Sequence, residues 1–240
     1  MSLNTARLDR FLAQYCNISR RNVRLMLAQK RVLVDGEIAL DIDKIIDNFS
    51  HIVLDGQVLQ DNASHYIMLH KPVGVVSATQ DKQHQTVIDL LNSHEFSYKK
   101  QLHIVGRLDL NTSGLLLLTN DSRWSERLTL PENKVSKRYL VTLKNKLTPE
   151  YVAAFDNGMY FGYEDITTKP AKLTILSDYQ AKVELTEGRY HQIKRMFGRF
   201  SNPVVALHRC SIGNLQLDEK LRVGENRKLT LEEVENINSQ

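Results

Sequence analysis

Two Asp-Gly pairs near the N-terminus each follow a short apolar run, and this pattern constrains the fold more than any other feature of the sequence. Asp35-Gly36 follows Val32 to Val34, and Asp55-Gly56 follows His51 to Leu54. An Asp-Gly pair after such a run is the strongest short-range signal for a β-hairpin, because both residues tolerate the positive φ angles of the turn. We therefore expect short hairpins within the first 60 residues.

Two short amphipathic helices are predicted ahead of these hairpins. After Thr5, apolar residues recur at the spacing i, i+3, i+4, i+7 that one face of a helix requires, and these are Leu8, Phe11, Leu12 and Tyr15. Ser19 is suited to be the N-cap of a second helix that runs to about Gln29. The inward face of that helix would carry Val23, Met26 and Leu27.

The positive charge of the chain is concentrated in this N-terminal segment. The 240 residues hold 32 Lys and Arg against 28 Asp and Glu, a net charge of +4. Residues 1–36 alone carry two acids and seven basic residues, namely Arg7, Arg10, Arg20, Arg21, Arg24, Lys30 and Arg31. Arg20 and Arg24 repel each other one turn apart on the second helix, so an external anion explains them better than helix stability does. We expect these seven residues to bind RNA.

The N-terminal pattern resembles the S-four-type RNA-binding module. The resemblance rests on Arg7-Leu8-Asp9 with Phe11-Leu12, on Ser19-Arg20, and on the run from Val32 to Gly36. It covers about 60 residues. Modules of this kind bind structured RNA through shape and phosphate contacts, which the basic helix would supply.

A second domain begins after a polar, unpatterned stretch from Gln60 to His65. We place a linker at residues 61–65, between a domain at 1–60 and a larger one at 66–240. In the larger domain we predict strands at 66–69, 74–78, 115–119, 139–143 and 181–186, and helices at 86–92, 191–200 and the acidic C-terminus. This mixture predicts an α+β fold on a mixed, mostly antiparallel sheet.

The segment from Gly106 to Gly114 places Asp109 between two glycines and ahead of a buried strand. A polar turn capped by Asp109 is one interpretation. A calcium loop is rejected because its twelfth position is Asn120 rather than Glu. A phosphoryl-transfer site of the Asp-x-Asp type is disfavoured because Asn111 cannot protonate a leaving group.

A fourth interpretation joins Asp109 to two other segments. Tyr139 lies in a basic strand, and the stretch from Glu187 to Arg209 carries five basic residues against one acid. A carboxylate, an aromatic ring and a group of cations suit chemistry on an RNA base: the acid reacts, the ring stacks and the cations hold phosphates.

These segments together resemble the RsuA/RluB-type pseudouridine synthase family. The matching motifs are Gly106-Arg107-Leu108-Asp109 with Thr112-Ser113-Gly114, then Lys137-x-Tyr139, then the run from Glu187 to Met196. Leu69 to Gly74 resembles the family's Asn-Lys-Pro motif, with His70 as a departure where Asn is usual. Two further segments, Thr168 to Ala171 and Leu207-His208-Arg209, favour the small-subunit branch of the family.

The resemblance implies a site with three catalytic residues. Asp109 would be the catalytic carboxylate, Lys194 would pair with it and keep it ionised, and Tyr139 would stack on the uracil and assist loss of the carbon-5 proton. Residues that bind the substrate would be Arg107, Ile193, Arg189 and Arg195.

The resemblance also implies an isomerisation that uses neither cofactor nor metal, with 16S rRNA as partner and uridine 516 as target. Alternatives are a 23S rRNA synthase of the same family, or a non-catalytic rRNA-binding assembly factor. Two cysteines, Cys16 and Cys210, are too few for a disulfide framework or a four-thiolate zinc site. We expect a cytoplasmic monomer without a membrane partner.

Overall fold

A computed structural model describes residues 5–238 of the chain. The chain divides into two compact units, Met1–Ser64 and His65–Gln240. Within the described residues, no helix is long and apolar enough to span a membrane.

The first unit packs two helices against short strands. A two-stranded antiparallel sheet pairs β1 with β4, and a four-stranded sheet has the order β3-β2-β5-β6. The elements are β1 (Thr5–Arg7), α1 (Leu8–Tyr15), α2 (Arg20–Ala28), β2 (Val32–Val34), β3 (Glu37–Ile38), β4 (Ile45–Asp47), β5 (Ile52–Leu54) and β6 (Gln57–Gln60).

Local signals in the sequence explain these elements. The side chain of Ser19 accepts a hydrogen bond from the backbone N–H of Asn22, so the predicted N-cap of α2 is confirmed. Asp35 and Gly36 have φ angles of 55° and 84°, the left-handed pair that a tight hairpin requires. Val23 and Leu27 are buried in the core of this unit and Met26 packs partly against it, as predicted.

The second unit is built on one nine-stranded sheet. Its elements are β7 (Tyr66–Lys71), β8 (His103–Val105), β9 (Ser113–Thr119), α3 (Ser122–Thr129), β10 (Lys137–Leu143), α4 (Glu150–Asn157), β11 (Tyr160–Phe161), β12 (Ile166–Thr167), β13 (Lys172–Ser177), β14 (Gln180–Leu185), α5 (Gln192–Gly198), β15 (Val204–Ile212), β16 (Leu215–Gln216), β17 (Asn226–Lys228) and α6 (Leu231–Asn236). Short 3-10 helices occur at Lys99–Gln101 and Pro131–Asn133.

The order of the nine-stranded sheet is β13-β14-β10-β15-β9-β7-β17, with β8 paired to β9 and β16 paired to β15. The other two strands, β11 and β12, form a separate two-stranded sheet. β9 and β15 run parallel, whereas the other strand pairs described in this sheet are antiparallel. The predicted mixed, mostly antiparallel sheet is confirmed.

Apolar cores cover both faces of the central strand β9. Leu116 and Leu118 belong to one buried cluster, and Leu115 and Leu117 belong to another. Successive side chains of a strand point to opposite faces, so a strand covered on both sides needs an uninterrupted apolar run. The four leucines are therefore a consequence of the position of β9 in the middle of the sheet.

Two predicted elements are wrong. Residues 74–78 form no strand beyond a single parallel bridge between Val76 and Thr86. Residues 86–92 form turns rather than a helix, although their apolar spacing is helical. The backbone N–H and the hydroxyl of Thr86 both donate to the Asp89 carboxylate at 2.8 Å, and this side-chain competition favours turns over a helix.

Candidate active site

The loop that carries Asp109 lies between β8 and β9 and is fixed by hydrogen bonds on both sides. The hydroxyl of Ser77 donates to the carbonyl of Leu108 at 2.7 Å, and the N–H of Leu108 lies 3.0 Å from the same hydroxyl. The N–H of Gly74 donates to the carbonyl of Leu110 at 2.9 Å. The segment after β7, although not a strand, thus holds the Asp109 loop in position.

A buried lysine supports this loop from beneath. Lys71, at the end of β7, is fully buried, and its ammonium donates to the carbonyl oxygens of Pro72, Asp109 and Thr112 at 2.9, 3.1 and 2.9 Å. Burial lowers the pKa of Lys71 to about 8, while the Asp109 carboxylate acts in the opposite direction. Lys71 therefore ties the loop to the end of the sheet.

The Asp109 carboxylate contacts two nitrogen atoms on the segment that begins α5. Its Oδ2 lies 3.1 Å from Nζ of Lys194 and 3.4 Å from Nε2 of His191. The structure thus contains the ion pair expected between Asp109 and Lys194. The side chains of Asp109 and Lys194 are 29% and 27% exposed, so the pair lies half-buried at the edge of a cavity. Among residues 5–238, no hydrogen-bond partner occupies the second oxygen of Asp109.

Two adjoining pockets of about 80 and 540 Å³ share Asp109. Tyr139, on β10, lines both pockets and is 8% exposed. Ile193 and Leu207 add apolar walls to the smaller pocket. A pocket that combines one carboxylate, one aromatic ring and apolar walls is suited to a planar base, since bases stack on aromatic rings.

Arg107 and Arg189, predicted to bind substrate, line both pockets. Arg107 is exposed, and Arg189 donates to the Glu187 carboxylate at 3.0 Å. Arg195 is not among the described residues that line either pocket: it pairs with Glu164, and its guanidinium lies 3.8 Å from the centre of the Phe161 ring. On α5, Arg195 follows Lys194 by about 100° around the helix axis, which turns it away from Asp109.

Sequence reasoning missed three residues of this site. His191, which lies in the motif from Glu187 to Met196 but was given no role there, lies beside Asp109. Lys137 and Arg209, on the neighbouring strands β10 and β15, line the larger pocket. Burial, and to a lesser extent the nearby charge of Arg209, lower the pKa of Lys137 to about 8. The basic character of the run from Glu187 to Arg209 is the sequence signal that pointed to this region.

The first unit presents a basic surface on α2. Arg20, Arg21 and Arg24 are exposed, as are Arg10 and Lys30. The other two predicted RNA-binding residues face carboxylates of their own unit, because Arg7 donates to Asp9 and Asp43, and Arg31 donates to Asp55.

No group of three or more His, Cys, Asp or Glu side chains suited to hold a metal ion occurs in residues 5–238. Basic side chains are instead grouped around Asp109, and such a group is suited to an anionic ligand.

Comparison with known proteins identifies the family. Residues 65–198 match the family described as RNA pseudouridylate synthase, and residues 6–49 match the S4 domain. The chain belongs to the RNA pseudouridylate synthase family. It is therefore an isomerase, and the resemblance noted in its motifs is confirmed.

Relatives of this synthase match along nearly its full length. The ribosomal small subunit pseudouridine synthase A of Pseudomonas aeruginosa is 46% identical over 95% of this chain and 98% of that protein. The protein of the same name from Escherichia coli is 40% identical over 96% of this chain and 99% of that protein. A crystal structure of a pseudouridylate synthase has a TM-score of 0.70 and 39% identity, covering 96% of this chain and 99% of the other.

Proposed function

We propose that this enzyme converts one uridine of 16S rRNA in the small ribosomal subunit to pseudouridine, at the position known in the family as uridine 516. The observation that carries the proposal is the identity of 40% and 46% with ribosomal small subunit pseudouridine synthases across at least 95% of the chain. Both the basic N-terminal unit and the catalytic unit are included in that range.

The proposed chemistry breaks the bond between the ribose and nitrogen 1 of uracil, rotates the base, and joins the ribose to carbon 5. Carbon 5 then loses its proton and nitrogen 1, freed from the ribose, takes up a proton from solvent, so the product is an isomer of uridine. Asp109 is the catalytic carboxylate, and its unpartnered oxygen is available to the substrate. Lys194, 3.1 Å from the other oxygen, pairs with the carboxylate and fixes its direction.

Tyr139 and Ile193 bind the extruded uracil in this proposal. The Tyr139 ring stacks on the base and its hydroxyl assists removal of the carbon-5 proton, while Ile193 packs against the base edge. Arg107 and Arg189 hold phosphates of the substrate strand at the mouth of the larger pocket.

RNA docking is assigned to the exposed basic residues of the first unit. Arg10, Arg20, Arg21, Arg24 and Lys30 supply positive charge for phosphates. Arg7 and Arg31 are left out, because their guanidinium groups are held by carboxylates of the same unit. We also propose a cytoplasmic monomer, for which light scattering should give a mass near 27.6 kDa.

The test is release of tritium from uridine labelled at carbon 5. We expect release from 16S rRNA or a small-subunit assembly particle by the wild-type enzyme, none from 23S rRNA, and none on either substrate from Asp109→Asn. Asp156→Asn is the matched control, because Asp156 is an exposed carboxylate on α4. Full turnover by Asp109→Asn would exclude the assigned chemistry.

The assay also separates the alternatives. Release from 23S rRNA alone would move the target to the large subunit. Tight, salt-dependent binding to 16S rRNA without release from any substrate would indicate an assembly factor and overturn the enzymatic proposal.

A further inference from the structure

Tyr190 is an exposed aromatic residue at the mouth of the larger pocket. It lies in the loop between β14 and α5, lines that pocket together with Asp109, and is 71% exposed. A large ring left open to solvent beside a reaction site gains little from burial in the free protein. Its position therefore points to a ligand rather than to the core.

The Tyr190 ring is stacked on the ring of His191. Their centroids are 3.9 Å apart and the two planes differ by 20°. His191 in turn lies 3.4 Å from the Asp109 carboxylate, so a single ring separates Tyr190 from the catalytic group. The two rings form a short stack that extends outward from Asp109.

The backbone beneath this stack is fixed even though the Tyr190 ring is exposed. The carbonyl of Tyr190 accepts a hydrogen bond from Arg195 at 3.4 Å, and Arg195 is itself held by Glu164. The N–H of Arg189 donates to the side chain of Gln192 at 3.1 Å. A fixed loop with an open ring face is preorganised for stacking, because little freedom remains to be lost on binding.

Extrusion of a uridine leaves its neighbour in the strand without a stacking partner on one side. RNA-binding proteins compensate for such a loss with exposed aromatic rings, and each base that stacks contributes roughly ten- to hundredfold in affinity. The open face of Tyr190 is the aromatic surface next to the pocket in which the uracil would lie.

We propose that Tyr190 is a stacking platform for the nucleotide adjacent to the target uridine. This inference rests on the proposed role of Asp109. Tyr190 takes no part in the reaction: it binds the flanking base and so contributes to the choice of substrate. Arg195 acts as a positioning residue, since it holds the carbonyl of Tyr190 rather than the RNA.

The experiment measures kcat and KM for tritium release from 16S rRNA with variants at position 190. Tyr190→Ala and Tyr190→Leu should raise KM about ten- to hundredfold and change kcat less than about threefold. Tyr190→Phe should keep KM within about threefold of wild type, because its ring still stacks. Leu retains apolar area without a ring, so it separates stacking from simple burial.

Tyr179→Ala is the matched control. Tyr179 is an exposed tyrosine just before β14, and the far end of that strand, Leu185, lines the smaller pocket. Six residues of strand place it about 20 Å from the site, so its KM should equal that of wild type. An unchanged KM in Tyr190→Ala, or equal KM values for Leu and Phe, would overturn the proposal.

Filter binding separates this inference from the proposed function. In an Asp109→Asn background, Tyr190→Ala should still weaken binding of 16S rRNA, and unchanged affinity would count against the platform. Turnover by the single variant Asp109→Asn would reject the role of Asp109, but the binding result for Tyr190→Ala would remain valid. If tritium is released from 23S rRNA instead, the same variants are compared on that RNA.

Discussion

Gly114 occupies a position where two strands approach too closely for any side chain. It lies in β9, pairs with Arg209 of β15 in the parallel ladder, and has a φ angle of 110°. A Cβ at this position would lie 2.3 Å from the Arg209 carbonyl oxygen and 2.6 Å from the Arg209 nitrogen. Since both are backbone atoms, no rotamer change can relieve the clash.

The magnitude of a Gly114→Ala effect follows from that geometry. Restoring an ordinary contact of 3.4 Å requires the two strands to separate by about 1 Å. The backbone conformation itself costs an alanine about 1–3 kcal/mol, and overpacking of this kind costs a further 1–3 kcal/mol. We expect the free energy of unfolding to fall by about 2–6 kcal/mol.

Activity should fall as well, because Gly114 follows the Asp109 loop directly. A displacement near 1 Å at a catalytic group costs about a hundredfold in rate. Guanidinium chloride unfolding and tritium release at a temperature where the variant stays folded are the two measurements.

Gly198→Ala is the control for Gly114→Ala. Gly198 ends α5, and a Cβ there meets no atom within 4 Å. Alanine should stabilise this position by up to about 1 kcal/mol, because glycine loses more backbone freedom in a helix. A Gly114→Ala variant as stable as Gly198→Ala would refute the close approach of β9 and β15.

Two further predictions concern charge. Burial lowers the pKa of both Lys71 and Lys137 from 10.5 to about 8, whereas the same groups in the unfolded chain keep their protons up to about pH 10.5. Between these two pH values the unfolded state binds more protons than the folded state, so the free energy of unfolding should rise with pH. Denaturant titrations should show a smaller rise for Lys137→Met, and an equal rise would contradict the shift at Lys137. Reversal of Arg20, Arg21 and Arg24 to Glu should weaken 16S rRNA binding and lower the slope of log affinity against log salt by about two to three; an unchanged slope would remove α2 from the RNA-binding surface.

Local signals account for the elements that local hydrogen bonds determine. Ser19 caps α2, and Asp121 caps α3 by accepting from the N–H of Trp124 at 3.0 Å. At the C-terminus, Thr230 and Glu233 form a reciprocal capping box ahead of α6. In each case the side chain and its backbone partner are three residues apart, so the sequence contains the whole interaction.

Elements for which apolar spacing gives a misleading or weak signal were not predicted. The segment 86–92 has helical spacing, but Asp89 closes it into turns and Val76 pairs with Thr86 from the preceding segment. The helix α4 has no strong stripe in its sequence and was missed. Apolar spacing alone therefore assigned the first segment wrongly and gave no sign of the second.

The site residues likewise divide into those with a signal in the local sequence and those without one. Asp109 was recognisable from its glycine-flanked motif, whereas its neighbours come from positions far along the chain. The parallel pairing of β9 with β15 brings Arg209 beside Gly114, and this contact between residues 95 positions apart has no local signature. The same applies to Lys71, which the antiparallel pairing of β7 with β9 places opposite Gly114.

The basic side chains near Asp109 are costly to bury in the free protein. Lys71, Lys137, Lys194 and Arg209 surround it, and Lys71 and Arg209 are fully or almost fully buried. Their hydrogen bonds run to backbone carbonyls, as those from Lys71 to the Asp109 loop and from Arg209 to Leu115 do. Burying cations without matching carboxylates costs free energy in the unbound protein. A polyanion in the pocket would offset this cost, so the arrangement that destabilises the free enzyme favours RNA binding beside Asp109.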